Sequence, residues 1–139
     1  MEEKDLRQAM LVLESYKEQM DSLGQQMTML QTSLEDSVRA RETLKAFKDA
    51  EEGDEILVPV GASVFVTAKV TDKKEALIGI GNKISVSKDL REAEEFMSSI
   101  VIELQESLKR MSNTYSEIQT AANNIAAAVN AEYESRQNV

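Results

Sequence analysis

Gly79-Ile80-Gly81 and the paired carboxylates Glu51-Glu52 and Glu94-Glu95 are the features of this chain whose types and spacing touch on chemistry. A Gly-x-Gly step opens a dinucleotide loop when a third glycine and a helix follow. Here the third glycine is missing and a strand pattern follows, so the segment reads as a hairpin turn. No Gly-x-x-x-x-Gly-Lys motif occurs, which leaves nucleotide hydrolysis without a visible basis. The carboxylate pairs lie near the ends of helical patterns, where solvation and pairing between positions i and i+4 account for them better than acid/base catalysis does. The chain has no His and no Cys among its 139 residues. That removes the commonest general base, any imidazole triad, the thiolate nucleophile and zinc sites of the Cys type. No enzyme, metal or cofactor is expected.

The informative anomaly is apolar. Ala9-Met10-Leu11-Val12-Leu13 is a run of five apolar residues on a helical pattern whose seam needs only Ala9 and Leu13. Met10, Leu11 and Val12 are therefore expected to point away from the seam, and an exposed run of that kind is a liability unless it binds something. Near the other end of the chain, Ile125-Ala126-Ala127-Ala128-Val129 gives a second weakly polar patch, with Tyr133 beyond it. Methionine, of which there are seven, adapts to varied apolar partners. Met20, Met27, Met97 and Met111 are seam positions, however, and read as core. The candidate binding residues are Leu6, Met10, Leu11, Val12, Ala126, Val129 and Tyr133. Binding of an apolar partner, tip-to-tip packing and packing of a third helix all remain open for this patch.

Three segments must position these residues. Residues 2–52 contain no Pro, a single Gly and many good helix formers. With Leu6 as position a, the seam runs Leu6, Ala9, Leu13, Tyr16, Met20, Leu23, Met27, Leu30, Leu34, apolar without exception. It then loosens: Ser37 and Arg41 fall on the seam, while Val38 and Phe47 lie one position off it. Gly53 suits the position just past the helix end. Residues 55–87 carry β-branched runs that predict four strands, Ile56–Val60, Val64–Val70, Ala76–Ile80 and Lys83–Ser87, forming a small sheet. Pro59 cannot donate to a ladder, so its strand should be an edge or bulge there. Residues 88–136 return to helix, with Ser87 or Asp89 as N-cap. Its seam is Met97, Val101, Leu104, Leu108, Met111, Tyr115, Ile118, Ala122, Ile125, Val129.

Two seams of matched length joined by a β segment most simply fold back as an antiparallel two-helix coiled coil, with both chain ends at the tip farthest from the strands. Parallel pairing with another chain is the alternative. The fold class is α+β within a single domain, residues 1–139. Four short strands are marginal by themselves and invite pairing with another copy. Ile56, Val58, Val60, Val64, Val66, Ile78, Ile84 and Val86 are the candidate assembly residues, with a small private barrel as the other reading. The 16 Lys plus Arg against 25 Asp plus Glu give a net charge of −9, which disfavours nucleic acid. The charged start Met1-Glu2-Glu3-Lys4-Asp5 is unlike a secretory signal, and apolar runs of five residues are too short to span a membrane. A soluble, cytoplasmic protein is expected.

A long helix, the stretch Ile56-Leu57-Val58-Pro59-Val60-Gly61-Ala62-Ser63-Val64-Phe65-Val66-Thr67-Ala68-Lys69-Val70, the later Gly79-Ile80-Gly81 and a second long helix together resemble the α-class subunit of archaeal-type prefoldin. The resemblance covers essentially the whole chain. Two hairpins' worth of strands, rather than one, is similar to the α class and unlike the β class. It implies a chaperone subunit in a hetero-hexamer of two α-class and four β-class chains. Their strands would assemble into a double β-barrel from which six coiled coils hang. By the same resemblance, the complex acts as an ATP-independent holdase that captures unfolded clients at the tips and delivers them to a group II chaperonin. A structural spacer or tether with the sheet as its hub is the alternative function; it explains the seams and not the off-seam apolar run.

Overall fold

The structure, a computed structural model, describes residues 2–72 and 74–138. Helix α1 (Glu3–Asp49) is followed by strands β1 (Glu55–Gly61), β2 (Val64–Lys69), β3 (Glu75–Gly81) and β4 (Ile84–Asp89), and then by helix α2 (Leu90–Gln137). The expected elements are all present and their ends differ for local reasons. Helix α1 stops at Asp49, short of residue 52, because the backbone turns there. The Glu51 N–H donates to Asp54 Oδ2 at 2.9 Å and the Asp54 N–H donates to the Glu51 carbonyl at 3.1 Å. Gly53 thus belongs to the turn into β1 and not to the helix end. This end is met instead by the Lys74 ammonium, which donates to Ala50 O, just past the helix, at 2.6 Å and to Phe47 O in its last turn at 3.3 Å. Of the two candidate N-caps for α2, Asp89 serves: its Oδ1 accepts the Glu92 N–H at 2.8 Å. Ser87 lies in β4 and donates to Glu75 Oε2 at 3.3 Å.

The four strands form two separate two-stranded antiparallel sheets, β1 with β2 and β3 with β4, and not one small sheet. The β1 ladder slips between Pro59 and Gly61, and Pro59, which has no N–H to donate, sits at the edge of that slip. The same slip occurs between Gly79 and Gly81. The turn of the second hairpin is Asn82-Lys83 and not Gly81-Asn82, with φ of 49° and 61°. Ala62 and Ser63 close the first hairpin at 49° and 62°. Both pairs have the positive φ that a twist-matched two-residue hairpin turn demands. Gly61 and Gly81 precede the turns at φ 116° and 103°, a region open to glycine and strained for other residues.

Packing divides the chain into two compact units. In one, α1 up to Ser33 lies with α2 from Leu104. Leu6, Ala122 and Val129 are buried there, and the Tyr133 hydroxyl donates to Met10 Sδ at 3.7 Å. The start of α1 therefore meets the end of α2, which is antiparallel pairing. The other unit, Leu34–Glu103, holds the end of α1, both hairpins and the start of α2. Its buried residues are Val70, Leu90, Ala93 and Val101. Burying a Val or Leu side chain contributes roughly 1.5–3 kcal/mol each, so a few such residues set the pairing. In this unit Ser37, Arg41, Val38 and Phe47 are all half-buried. The apolar strip widens rather than shifting to one new register.

Candidate functional site

The residues expected to bind at the chain ends fall into three classes of exposure. Leu6 and Val129 are buried in the seam. Val12 and Ala126 are half-buried. Val12 was expected to point away from the seam, but the strip facing α2 is wide enough here to take in the position beside Leu13. Exposed apolar surface is left at Met10, 47% accessible, Leu11, 66%, and Tyr133, 43%. The Tyr133–Met10 contact brings the two ends of the chain together and joins these side chains into one patch. A sulfur acceptor is weak, so this bond orients the ring without fixing it.

The hairpins expose more. Val60, Val64, Val66, Ile84 and Val86 are exposed, while Ile56, Val58 and Ile78 are half-buried. The split follows position along the hairpin, since the half-buried residues lie in β1 and β3 away from the turn while the exposed ones lie nearer the turn or in β2 and β4; alternation in turn sets Leu57 and Leu77 on the opposite face from Ile56, Val58, Ala76 and Ile78. Leu57, Phe65, Leu77 (77% accessible) and Ile80 are large, apolar and exposed, and the sequence-based list of assembly residues omits them. Alternation carried a signal for the odd-numbered Leu57, Phe65 and Leu77, whereas Ile80 lies in the register slip before the turn. An open apolar groove of about 470 Å³ runs beside these strands, with Leu44, Pro59, Ala76, Leu77, Ile78 and Met97 on its walls. Single chains rarely expose so many contiguous apolar side chains without a partner.

Electrostatics around the hairpins is modest. Lys48 Nζ lies 2.6 Å from Glu94 Oε2 and joins the end of α1 to the start of α2. The hydrogen bond to Glu94 holds the Lys48 pKa above the ordinary lysine value. Lys88 Nζ stands 6.0 Å over the Phe96 ring. Among the described residues there is no group of three or more acidic side chains placed to hold a metal ion, and no helix is long and apolar enough to cross a membrane. Arranged in this way, the chain offers apolar contact and strand edges as its means of recognition.

A family model described as Prefoldin subunit matches residues 16–135. The prefoldin subunit alpha of Methanocorpusculum labreanum is 32% identical over 117 residues, covering 84% of this chain and 80% of the relative. That of Methanococcoides burtonii is 30% identical over 127 residues, covering 91% and 92%. In three dimensions, a chain of filamentous PFD from Methanocaldococcus jannaschii, determined by cryo-EM, superposes with a TM-score of 0.66 at 22% identity, over 84% of this chain and 97% of that one. The two paired helices, the two hairpins between them and these relatives place the chain in the prefoldin family, among its alpha subunits.

Proposed function

We propose that this chain is the α-class subunit of an ATP-independent holdase, in which two copies join four β-class subunits through their hairpins. Unfolded clients are held at the exposed ends of the helix pairs and passed to a group II chaperonin in the cytoplasm. The observation that carries the reading is the patch of Met10, Leu11 and Tyr133, apolar and accessible on a helix pair whose seam is already satisfied. An unfolded chain exposes apolar segments, and several weak contacts around one cavity retain it by avidity with no energy input. Release then requires only a competing partner. Family membership supports the assembly and the hand-over, and the exposed strands supply a surface for the former.

The test is suppression of aggregation of two unrelated denatured proteins by the reconstituted complex. Met10→Ser, Leu11→Ser and Tyr133→Ser together should leave the complex intact by native mass and lose most of the suppression. Unchanged suppression rejects the patch as the client site. A complex that protects neither protein before mutation is a spacer or tether instead.

A further inference from the structure

Among the described methionines, Met20, Met27, Met97 and Met111 are half-buried in the seams, whereas Met10 and Met29 are exposed, 47% and 71% accessible. Exposure admits a peroxide to a thioether, so these two sulfurs are the ones open to oxidation. They differ in what lies around them. Met29 stands on an exposed face well inside α1. Met10 stands where the two chain ends meet, and the Tyr133 hydroxyl of α2, 123 positions away in sequence, donates to its Sδ at 3.7 Å. A thioether is a weak acceptor for that hydroxyl. A sulfoxide carries a polar oxygen one bond out from the same sulfur, and that oxygen is a far better acceptor. Leu11, beside Met10 and 66% accessible, has no group that could respond in this way. Chemistry at one atom therefore reaches both helices at the patch, and the same chemistry at Met29 does not.

We propose that Met10 is an oxidation site through which a hydroperoxide closes the apolar patch, with Tyr133 as the positioning residue that clamps the product. A lone pair of Met10 Sδ attacks the outer oxygen of the hydroperoxide, and the S–O bond forms as the O–O bond breaks. The proton of the transferred oxygen passes to the departing one, so hydrogen peroxide leaves as water. Sulfur loses two electrons and the peroxide gains them. The product changes the patch twice. A polar group replaces apolar surface on which a client segment would rest, and the Tyr133 hydroxyl gains an acceptor strong enough to hold its ring against Met10. Leu6 and Val129, buried in the same helix pair, carry no sulfur, so client contact is lost without loss of the fold. This regulation rests on the reading of Met10, Leu11 and Tyr133 as the client surface.

The chain has no Cys, so dilute hydrogen peroxide acts on its methionines with no competing thiol. The chain is treated, quenched, mapped by peptide mass and assembled with untreated β-class subunits. Met10 and Met29 should each gain one oxygen ahead of Met20, Met27, Met97 and Met111, and a Met10 no faster than these four overturns the proposal. Suppression of client aggregation is then compared with the untreated sample of each variant. It should fall about fivefold for the wild-type chain and for Met29→Leu, as expected when part of a methionine side chain turns polar. Met10→Leu, with no sulfur at that position, should stay near its own untreated level, and an equal fall there overturns the proposal. Amide exchange at the two chain ends should slow about threefold on oxidation of the wild-type chain and not of Tyr133→Phe. Equal exchange with and without the hydroxyl overturns the clamp. An untreated complex that protects no client overturns the proposed function alone, and mass mapping with amide exchange still decides whether Met10 and Tyr133 form the oxidation site.

Discussion

Tyr133 and Met10 each have two sides, one turned to the partner helix and one to water, and that division makes their substitutions informative. Removing only the hydroxyl by Tyr133→Phe deletes a weak donor-to-sulfur bond and keeps the ring. Aggregation suppression should change by less than about twofold, because apolar area rather than the hydrogen bond supplies the contact. Val129→Ser differs, since it buries a hydroxyl in the seam and should destabilise the helix pair by roughly 1–3 kcal/mol in thermal unfolding. Lys48 illustrates a third situation. Its pKa is raised by the hydrogen bond to Glu94, so any contribution to stability is fully present at neutral pH and fades only as the pH climbs through that raised value. The pair is partly open to solvent, so Lys48→Met should barely move the unfolding midpoint at pH 7, and the small difference should shrink further in salt.

Helices α1 and α2 are specified by repeating seams, but where they end depends on single contacts. Lys74 ties both: its ammonium meets the end of α1 and its own carbonyl accepts the N–H of Leu90, the first residue of α2. Lys74→Met should fray the last turn of α1, raising amide exchange there about fivefold for a loss near 1 kcal/mol, whereas Lys74→Arg should retain most of the protection. The hairpins leave room for gain. Ala62 and Ser63 adopt positive φ without a side chain suited to it, where Asn-Gly is the favoured pair. Ala62→Asn with Ser63→Gly should stabilise the first hairpin by about 0.5–1 kcal/mol, seen as slower amide exchange along β1 and β2.

Across the chain, the net negative charge sits in the two helical segments. Residues 2–52 carry −5, residues 88–139 carry −4 and the strand region is neutral. Acidic helix pairs repel one another, and they also repel clients of the same sign. For the proposed holdase, retention of a strongly acidic client should therefore improve as salt rises from about 0.01 M to 0.15 M, where the screening length falls to about 8 Å, and a basic client should show the opposite trend. The measurement is aggregation suppression against ionic strength for two clients of opposite net charge.

Most of the architecture was legible before any coordinates, because it is written in local periodicities. A 3.5-residue seam unbroken along α2, and unbroken in α1 as far as Leu34, leaves few alternatives to a long helix with a partner, and β-branched runs between Gly and Asn leave few alternatives to hairpins. Pro59 marked its strand as an edge or bulged one for the same reason, since a missing donor is a property of the residue, while the identical slip at Gly79 shows that the bulge does not depend on proline. What depended on contacts between distant positions could not be read in this way. That Val12 is half-buried while Leu11 is open follows from the width of the strip facing α2. That the carbonyls at the end of α1 are met by Lys74 depends on a residue far along the chain. That four strands make two sheets, leaving Leu57, Phe65 and Leu77 uncovered, is a matter of which edges meet. Periodicity names the face of an element that seeks cover; tertiary packing alone decides how much of that face the chain covers and how much it leaves for a partner.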